Sequence, residues 1–357
     1  MNPSATTCSF FLAGDLITGR RLSDYLLQRA DKSIIWGDAE AEWARDPRAL
    51  RLANLETAIT DKPEQWPQKK FHFLMHPDNL GALQAAGFDA LTLANNHIQD
   101  AGRVGLSDTL THLRRAGIAT VGAGADLAEA SRPIRIRHSN GQAVLIFAWA
   151  GPGCFTPTAW AAGPTISGIN RLPNYSWTTL KRVLKEIKAA REPGDIVVAS
   201  IHWGPNFNYS VTPRQRWFAR RLIDLGGVDV IHGHSAHHVM GIEIHRRRVI
   251  LYGCGDCISD YEGVKRHSFR PDLAPQYHLE LNDRGEFKAL TLSLLQIKDC
   301  QLHHATSADV AWLCRTINGG GRRDEEERNG RRPWLNRRRF NTRWEPLAEG
   351  RISVVKR

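Results

Sequence analysis

The sequence predicts an α/β fold in which mixed β-sheets are covered by helices. Two observations carry this expectation: apolar runs of strand length alternate with segments of helical period, and two pairs of runs flank hairpin-type turns. In chain order, Cys8–Gly14, Ala49–Leu55, Ala90–Ala94, Ile118–Gly122, Ile196–Ile201 and Val228–Ile231 read as buried strands. Between them, Leu106, Leu110 and Leu113 recur at i, i+4 and i+7, as an amphipathic helix requires. Leu180, Val183, Leu184 and Ile187 repeat the pattern with Lys and Glu on the other face, and Phe218, Leu222 and Leu225 mark a third helix. Pro133–Arg137 and Ala143–Ala150 flank Asn140-Gly141, and Val239–His245 and Val249–Tyr252 flank the Arg246–Arg248 turn, so both pairs read as hairpins. No linker before Gly319 divides the body, so residues 1–318 are read as one domain.

Composition narrows the class. Of 357 residues 42% are hydrophobic, which suffices for a full-sized core and excludes a disordered chain. The longest apolar run, Ala143–Ala150, is far short of the roughly 18 residues a membrane span needs. Met1–Ser9 lacks a basic start, and Asp15 and Arg20 closely follow Phe10–Ala13, so no secretory signal is expected and the cytoplasm is the expected compartment. Six scattered cysteines fit reduced thiols, and the lone pair Cys254 and Cys257 reads as small buried hydrophobes. The net charge of +11 is uneven: residues 319–357 hold twelve Lys or Arg against six Asp or Glu. That segment, with Asp324–Glu327 beside Arg337–Arg339, is expected to be a basic, mixed-charge, solvated extension, with an arm for anionic partners as the alternative. The basic run Arg214, Arg216, Arg220 and Arg221 lies on an ordinary amphipathic helix, so nucleic acid is not the expected partner.

Chemistry gathers at the C-terminal ends of the expected strands, where ligands of such sheets bind. Gly14-Asp15 through Arg20 follows the first strand, Asn54-Leu55-Glu56-Thr57 ends the second, and Asn95-Asn96-His97 with Asp100 follows the third. His202-Trp203-Gly204 and then His232 through His238 follow two later ones. Fifteen His in the chain predict about 0.3 in a seven-residue window, and residues 232–238 contain four. Carboxylate, amide oxygen and imidazole together form a donor set suited to one or two divalent ions such as Mn, Zn or Fe. Such a pair would suit hydrolysis. His72 and His76 could reach the same cleft or serve as surface or cap histidines, and His303-His304 reads as a solvated loop.

Taken in order, Gly14-Asp15…Gly19-Arg20, Asn54–Thr60, Asn95-Asn96-His97…Asp100, His202–Gly204, Gly233–His238 and Tyr252–Asp256 resemble the CapA family, associated with poly-γ-glutamate capsule synthesis. The resemblance implies a metallophosphoesterase-like four-layer sandwich, two mixed β-sheets flanked by helices. It also implies the roles. Asp15 would hold one metal, Glu56 would stand where a bridging aspartate is usual, Asn96 would be a ligand amide, and His202, His234 and His237 would be imidazole ligands. His97 would be the catalytic histidine that assists the leaving group. Asn54, Asp100 and His238 would support the ligands, His238 remaining an alternative to His237. Arg20 would face an anionic small-molecule or polymer substrate, since a guanidinium grips carboxylate or phosphate bidentately. Ile17 stands where the phosphoesterases carry a further histidine ligand. Two readings therefore follow: a metal-dependent hydrolase of a phosphoester or γ-glutamyl-type substrate, and a non-catalytic capsule-assembly or polymer-binding component with a structural or vestigial metal site.

Overall fold

The computed structural model describes residues 7–62, 64–67, 69–262, 268–319 and 340–356. The strands that build its two main sheets are β1 (Cys8–Leu16), β2 (Leu50–Leu55), β3 (Ala90–Thr92), β4 (Ala119–Val121), β5 (Ile134–Arg137), β6 (Ala143–Ala150), β7 (Ile196–His202) and β8 (Val230–His234). They continue with β9 (Ile242–His245), β10 (Arg248–Leu251), β11 (Asp256–Ile258), β12 (Leu273–Leu281), β13 (Phe287–Lys298), β14 (Gln301–His304), β15 (Thr342–Pro346) and β16 (Arg351–Lys356). A ten-stranded sheet runs β15-β16-β13-β12-β1-β2-β3-β4, with β11 beside β1 and β14 beside β13. A six-stranded sheet runs β9-β10-β8-β7-β6-β5. Both are mixed: β1–β4 pair in parallel while β12 is antiparallel to β1, and β6, β7, β8 and β10 are parallel while β5 and β9 close hairpins.

Strand alternation decides the layering. On β7, Val197, Ala199 and Ile201 pack with Leu180, Val183 and Ile187 of helix α1 (Trp177–Ala190) and with Phe218 and Leu222 of helix α2 (Pro213–Gly226). The alternate residues Ile196 and Val198 join the larger sheet's Leu12, Leu52 and Leu279 in the other core. Leu106, Leu110 and Leu113 of the helix Gly102–Arg115 share that core. The result is the expected sandwich of two mixed sheets flanked by helices. Helix starts agree with their sequence: Ser176 accepts from Thr179 N, and Thr212 accepts from Gln215 N ahead of Pro213.

Two expectations need correction. The segment read as a solvated extension supplies β15 and β16, of which β16 pairs with β13 and β15 with β16, and buries Trp344, Ile352 and Val354. Its charge run had masked an alternation of inward apolar and outward charged residues. Residues 320–339, with the acidic and arginine runs, lie outside the described residues. His303 and His304 sit on β14 rather than in a loop, although both are exposed. All six cysteines are free and buried, as expected for small hydrophobes.

Candidate metal centre

Three of the motif residues lie on strand ends rather than after them. β1 runs two residues past its expected end and carries Asp15, β7 ends on His202, and β8 ends on His234. In register, Asp15 stands opposite Asn54 of β2 and Asp256 of β11, and His202 opposite His234. A Cβ on Gly14 would overlap the Gly255 carbonyl, so only glycine lets β1 and β11 approach at this point. The sheets are tied together here, since His232 Nε2 lies 2.8 Å from the Ala13 carbonyl oxygen. In the loop after β8, Ser235 and His237 have left-handed backbones (φ 101° and 56°). Such strain marks a constrained site.

Two groups of buried side chains share Asp15. Asp15, His202 and His234 bring one ligand atom each within 4.8 Å of one another, and Asp15, Glu56 and His237 do the same. Asp15 Oδ1 faces His202 Nδ1 at 3.7 Å and His234 Nδ1 at 3.6 Å, while its Oδ2 lies 3.8 Å from His237 Nδ1. The two Nδ1 atoms of His202 and His234 are 2.8 Å apart. His202 turns its other nitrogen to Asn96 Oδ1 at 2.7 Å and Glu56 Oε1 at 3.5 Å. Asn54 Nδ2 and Ser235 N donate to the two Asp15 oxygens.

Electrostatics fit a cation. Burial alone would raise Asp15, but the adjacent His202, His234 and His237 hold it well below the usual carboxylate range. Glu56 moves the other way, pushed up by burial and then by the Asp15 and Asp256 charges. Burial lowers His202 and His234, whereas at His237 the Asp256 and Asp15 carboxylates outweigh burial and raise it. Both Glu56 carboxylate oxygens, and Oδ2 of Asp256, are buried with no hydrogen-bond partner among the described residues. Leaving such oxygens unsatisfied costs on the order of 1–3 kcal/mol each, more when charged. A divalent ion would satisfy them, so the residues fit the metal that the donor set implies.

Beside this cluster, His97 stacks on Phe73 with ring centroids 3.8 Å apart. Its Nδ1 is 2.6 Å from Asp100 Oδ2, and its Nε2 faces Glu56 Oε1 at 3.9 Å. Burial pulls its pKa down to about 4. Lys69 contacts Asp100 Oδ1 and the Asn96 carbonyl. Neither Lys69 nor Asp256 had been singled out as a site residue, because a lone lysine in a loop and an aspartate inside a glycine–cysteine motif carry little signal by type. The register of β11 against β1 was the missing information.

The remaining expected residues separate. His238 points its Nδ1 at the Val239 carbonyl and packs on Tyr209 and Phe269, so His237 is the member of the pair that meets Asp15 and Glu56. Arg20 lies outside the cluster, paired with Asp260 at 3.1 Å and over the Phe73 ring at 5.5 Å. His76 caps the turn Pro77–Asn79, and His72 Nε2 lies 2.9 Å from the Trp66 carbonyl oxygen. Among the described residues no helix is long and apolar enough to cross a membrane.

Comparison with known proteins bears on this geometry. The family model for the bacterial capsule synthesis protein PGA_cap matches residues 9–261, a span that includes every member of the cluster. A probable polyglutamine synthesis accessory protein of Mycobacterium tuberculosis is 39% identical over 292 residues, covering 81% of this chain and 76% of that protein. The PGA biosynthesis protein CapA of Bacillus subtilis is 28% identical over 298 residues, covering 83% and 72%. The capsule biosynthesis protein CapA of Bacillus anthracis is 27% identical over 288 residues, covering 79% and 66%.

Proposed function

The chain belongs to the bacterial capsule synthesis protein PGA_cap family, and from that premise we propose that it is a divalent-metal-dependent hydrolase of an anionic substrate, acting in the synthesis of a glutamate polymer. The observation that carries the reading is Glu56, whose two buried oxygens lack hydrogen-bond partners among the described residues and face His202 and His237. When bound, a divalent ion supplies Lewis acidity and lowers the pKa of water toward neutrality.

The chain's own residues do the rest. Asp15, His202 and His234 would hold one ion, and Asp15, Glu56 and His237 a second, with the Asn96 oxygen at the other nitrogen of His202. His97 would be the proton-transfer group. As the neutral ring, it donates an Nδ1–H hydrogen bond to Asp100 and keeps Nε2 free on the Glu56 side, where Nε2 would take the proton of the attacking water and pass it to the leaving oxygen. Lys69, ion-paired with Asp100, keeps that carboxylate in place as the acceptor. Arg20 would meet the substrate's anionic group at the rim.

The test is hydrolysis of a phosphomonoester and of a γ-glutamyl amide by purified protein supplied with Mn²⁺ or Zn²⁺, beside His97→Ala and His234→Ala. The proposal expects one substrate class to be cleaved and both variants to lose the activity. Equal rates in all three proteins would overturn it.

A further inference from the structure

His232, two residues before His234, is fully buried and ties the two sheets together through the Ala13 carbonyl. On the parallel strands β7 and β8, Ser200 stands in register with His232, and His202 with His234. Successive side chains of a strand alternate between faces, so these four residues share one face. Three short contacts link them to β1. His232 Nε2 lies 2.8 Å from the Ala13 carbonyl oxygen, His232 Nδ1 lies 3.0 Å from Ser200 Oγ, and Ser200 Oγ lies 2.9 Å from His234 Nε2. A carbonyl oxygen only accepts, so His232 Nε2 carries a hydrogen. The ring is buried with no carboxylate in contact among the described residues, so it is neutral and its Nδ1 accepts. Ser200 has one hydroxyl hydrogen, and His232 Nδ1 is nearer to it than its other acceptor, Thr92 Oγ1 at 3.3 Å. With that hydrogen spent, Ser200 Oγ is the acceptor for His234, whose Nε2 must hold a hydrogen. His234 Nδ1 is then bare, and it is the nitrogen that faces Asp15 Oδ1 at 3.6 Å and His202 Nδ1 at 2.8 Å.

We propose that Ser200 and His232 are positioning residues: with the Ala13 carbonyl they form a relay that fixes His234 in the tautomer with hydrogen on Nε2 and a bare Nδ1 turned to Asp15 and His202. A ligating histidine must offer a bare nitrogen, and the partner of its other nitrogen decides which one that is. The usual partner is a carboxylate, a carbonyl or water. Here it is a hydroxyl, which can donate or accept and so sets no tautomer by itself. His232, anchored on a carbonyl of the opposite sheet, gives the hydroxyl its direction. What the bare nitrogen serves rests on the metal-centre reading above; where the hydrogen lies does not.

The experiment records long-range hydrogen–nitrogen correlation NMR spectra of the histidine rings, which separate a nitrogen bearing hydrogen from a bare one, on metal-depleted full-length protein. His234→Gln identifies the His234 signals by their loss. Wild type is expected to show the hydrogen on His234 Nε2. Ser200→Ala removes its acceptor, and the hydrogen is expected to move to Nδ1, on the side of Asp15 and His202; Ser200→Thr, which restores a hydroxyl, is expected to return it to Nε2. His232→Phe keeps a buried ring and frees the Ser200 hydrogen to point at His234, so the same move to Nδ1 is expected, and it carries the test if the alanine variant does not fold. Zn²⁺ affinity, read by calorimetry, should fall about 10- to 100-fold at one position in Ser200→Ala and recover in Ser200→Thr. A hydrogen that stays on Nε2 in both Ser200→Ala and His232→Phe, or that lies on Nδ1 in wild type, would overturn the relay. Wild type that binds no Zn²⁺ while its ring signals behave as expected would remove the metal centre and leave the relay standing.

Discussion

The two ends of β1 carry the same kinds of side chain and do different things with them. At the Ser9 end, Asp46, His138, His278 and Glu280 line a surface cavity of about 540 Å³. At the Asp15 end, Asp15, Glu56, Asp256, His202, His234 and His237 are buried together in the interior. The first group is internally paired: His278 Nε2 lies 3.0 Å from Asp46 Oδ2, and His138 Nδ1 accepts from Asn140 N. The second leaves carboxylate oxygens with no hydrogen-bond donor among the described residues and sets two imidazole nitrogens 2.8 Å apart. Histidine–carboxylate proximity therefore does not distinguish scaffold from site. Unmet hydrogen-bonding demand alone does not either, since Glu42 Oε1 and Tyr277 OH are also buried without partners among the described residues; its concentration on carboxylates that face imidazoles does.

The largest effect expected from this contrast is at Asp15, which both halves of the cluster share. Asp15→Asn keeps the volume and removes the charge facing three imidazoles. It should empty both metal positions and lower turnover by more than about 100-fold, beyond the 10- to 100-fold range typical of a supporting residue. Metal content measured beside rate checks this; a variant that keeps both ions and its rate would erase the difference between the two ends of β1. Asp100→Asn should fall inside that supporting range. Its carboxylate binds His97 Nδ1 and Phe73 N, both at 2.6 Å. Turnover should drop about 10- to 100-fold with metal content unchanged, and a loss of metal would move Asp100 into the ligand set.

Much of this contrast was legible before any coordinates. The strand-length runs located β1, β2, β3, β4, β7 and β8, because buried parallel strands read as continuous apolar segments. The residues at their ends were legible for the same reason, since the parallel β1, β2, β3, β7 and β8 all end toward one edge. Less visible was anything that depends on register. Asp256 joins the cluster only because β11 lies beside β1, and Lys69 because its loop returns over Asp100. β12, β13, β15 and β16 were missed where charged or polar residues alternate with apolar ones. A window average over Arg343–Glu345 sees charge, and the buried face of Trp344, Ile352 and Val354 disappears into it. The choice between His237 and His238 likewise follows from loop conformation rather than from residue type.

The smallest effect belongs to the paired end, and it sharpens the comparison by its sign with pH. Asp46 is held below the usual carboxylate range: burial opposes this, but hydrogen bonds from Ser9 and His278 prevail. An acid depressed on folding adds stability above its unfolded pKa, near about 3.9, and that stability is lost as pH falls through the lower folded value. The pair is partly exposed, so screening limits it to about 1 kcal/mol or less. Asp46→Asn should therefore melt slightly below wild type at pH 7, and the gap should close as pH falls below about 4. Its metal content should match wild type throughout. A gap that widens in acid, or an ion lost from a position at the far end of the same strand, would mean that the two ends are not independent, and that the pairing at Asp46 helps to hold the cluster at Asp15.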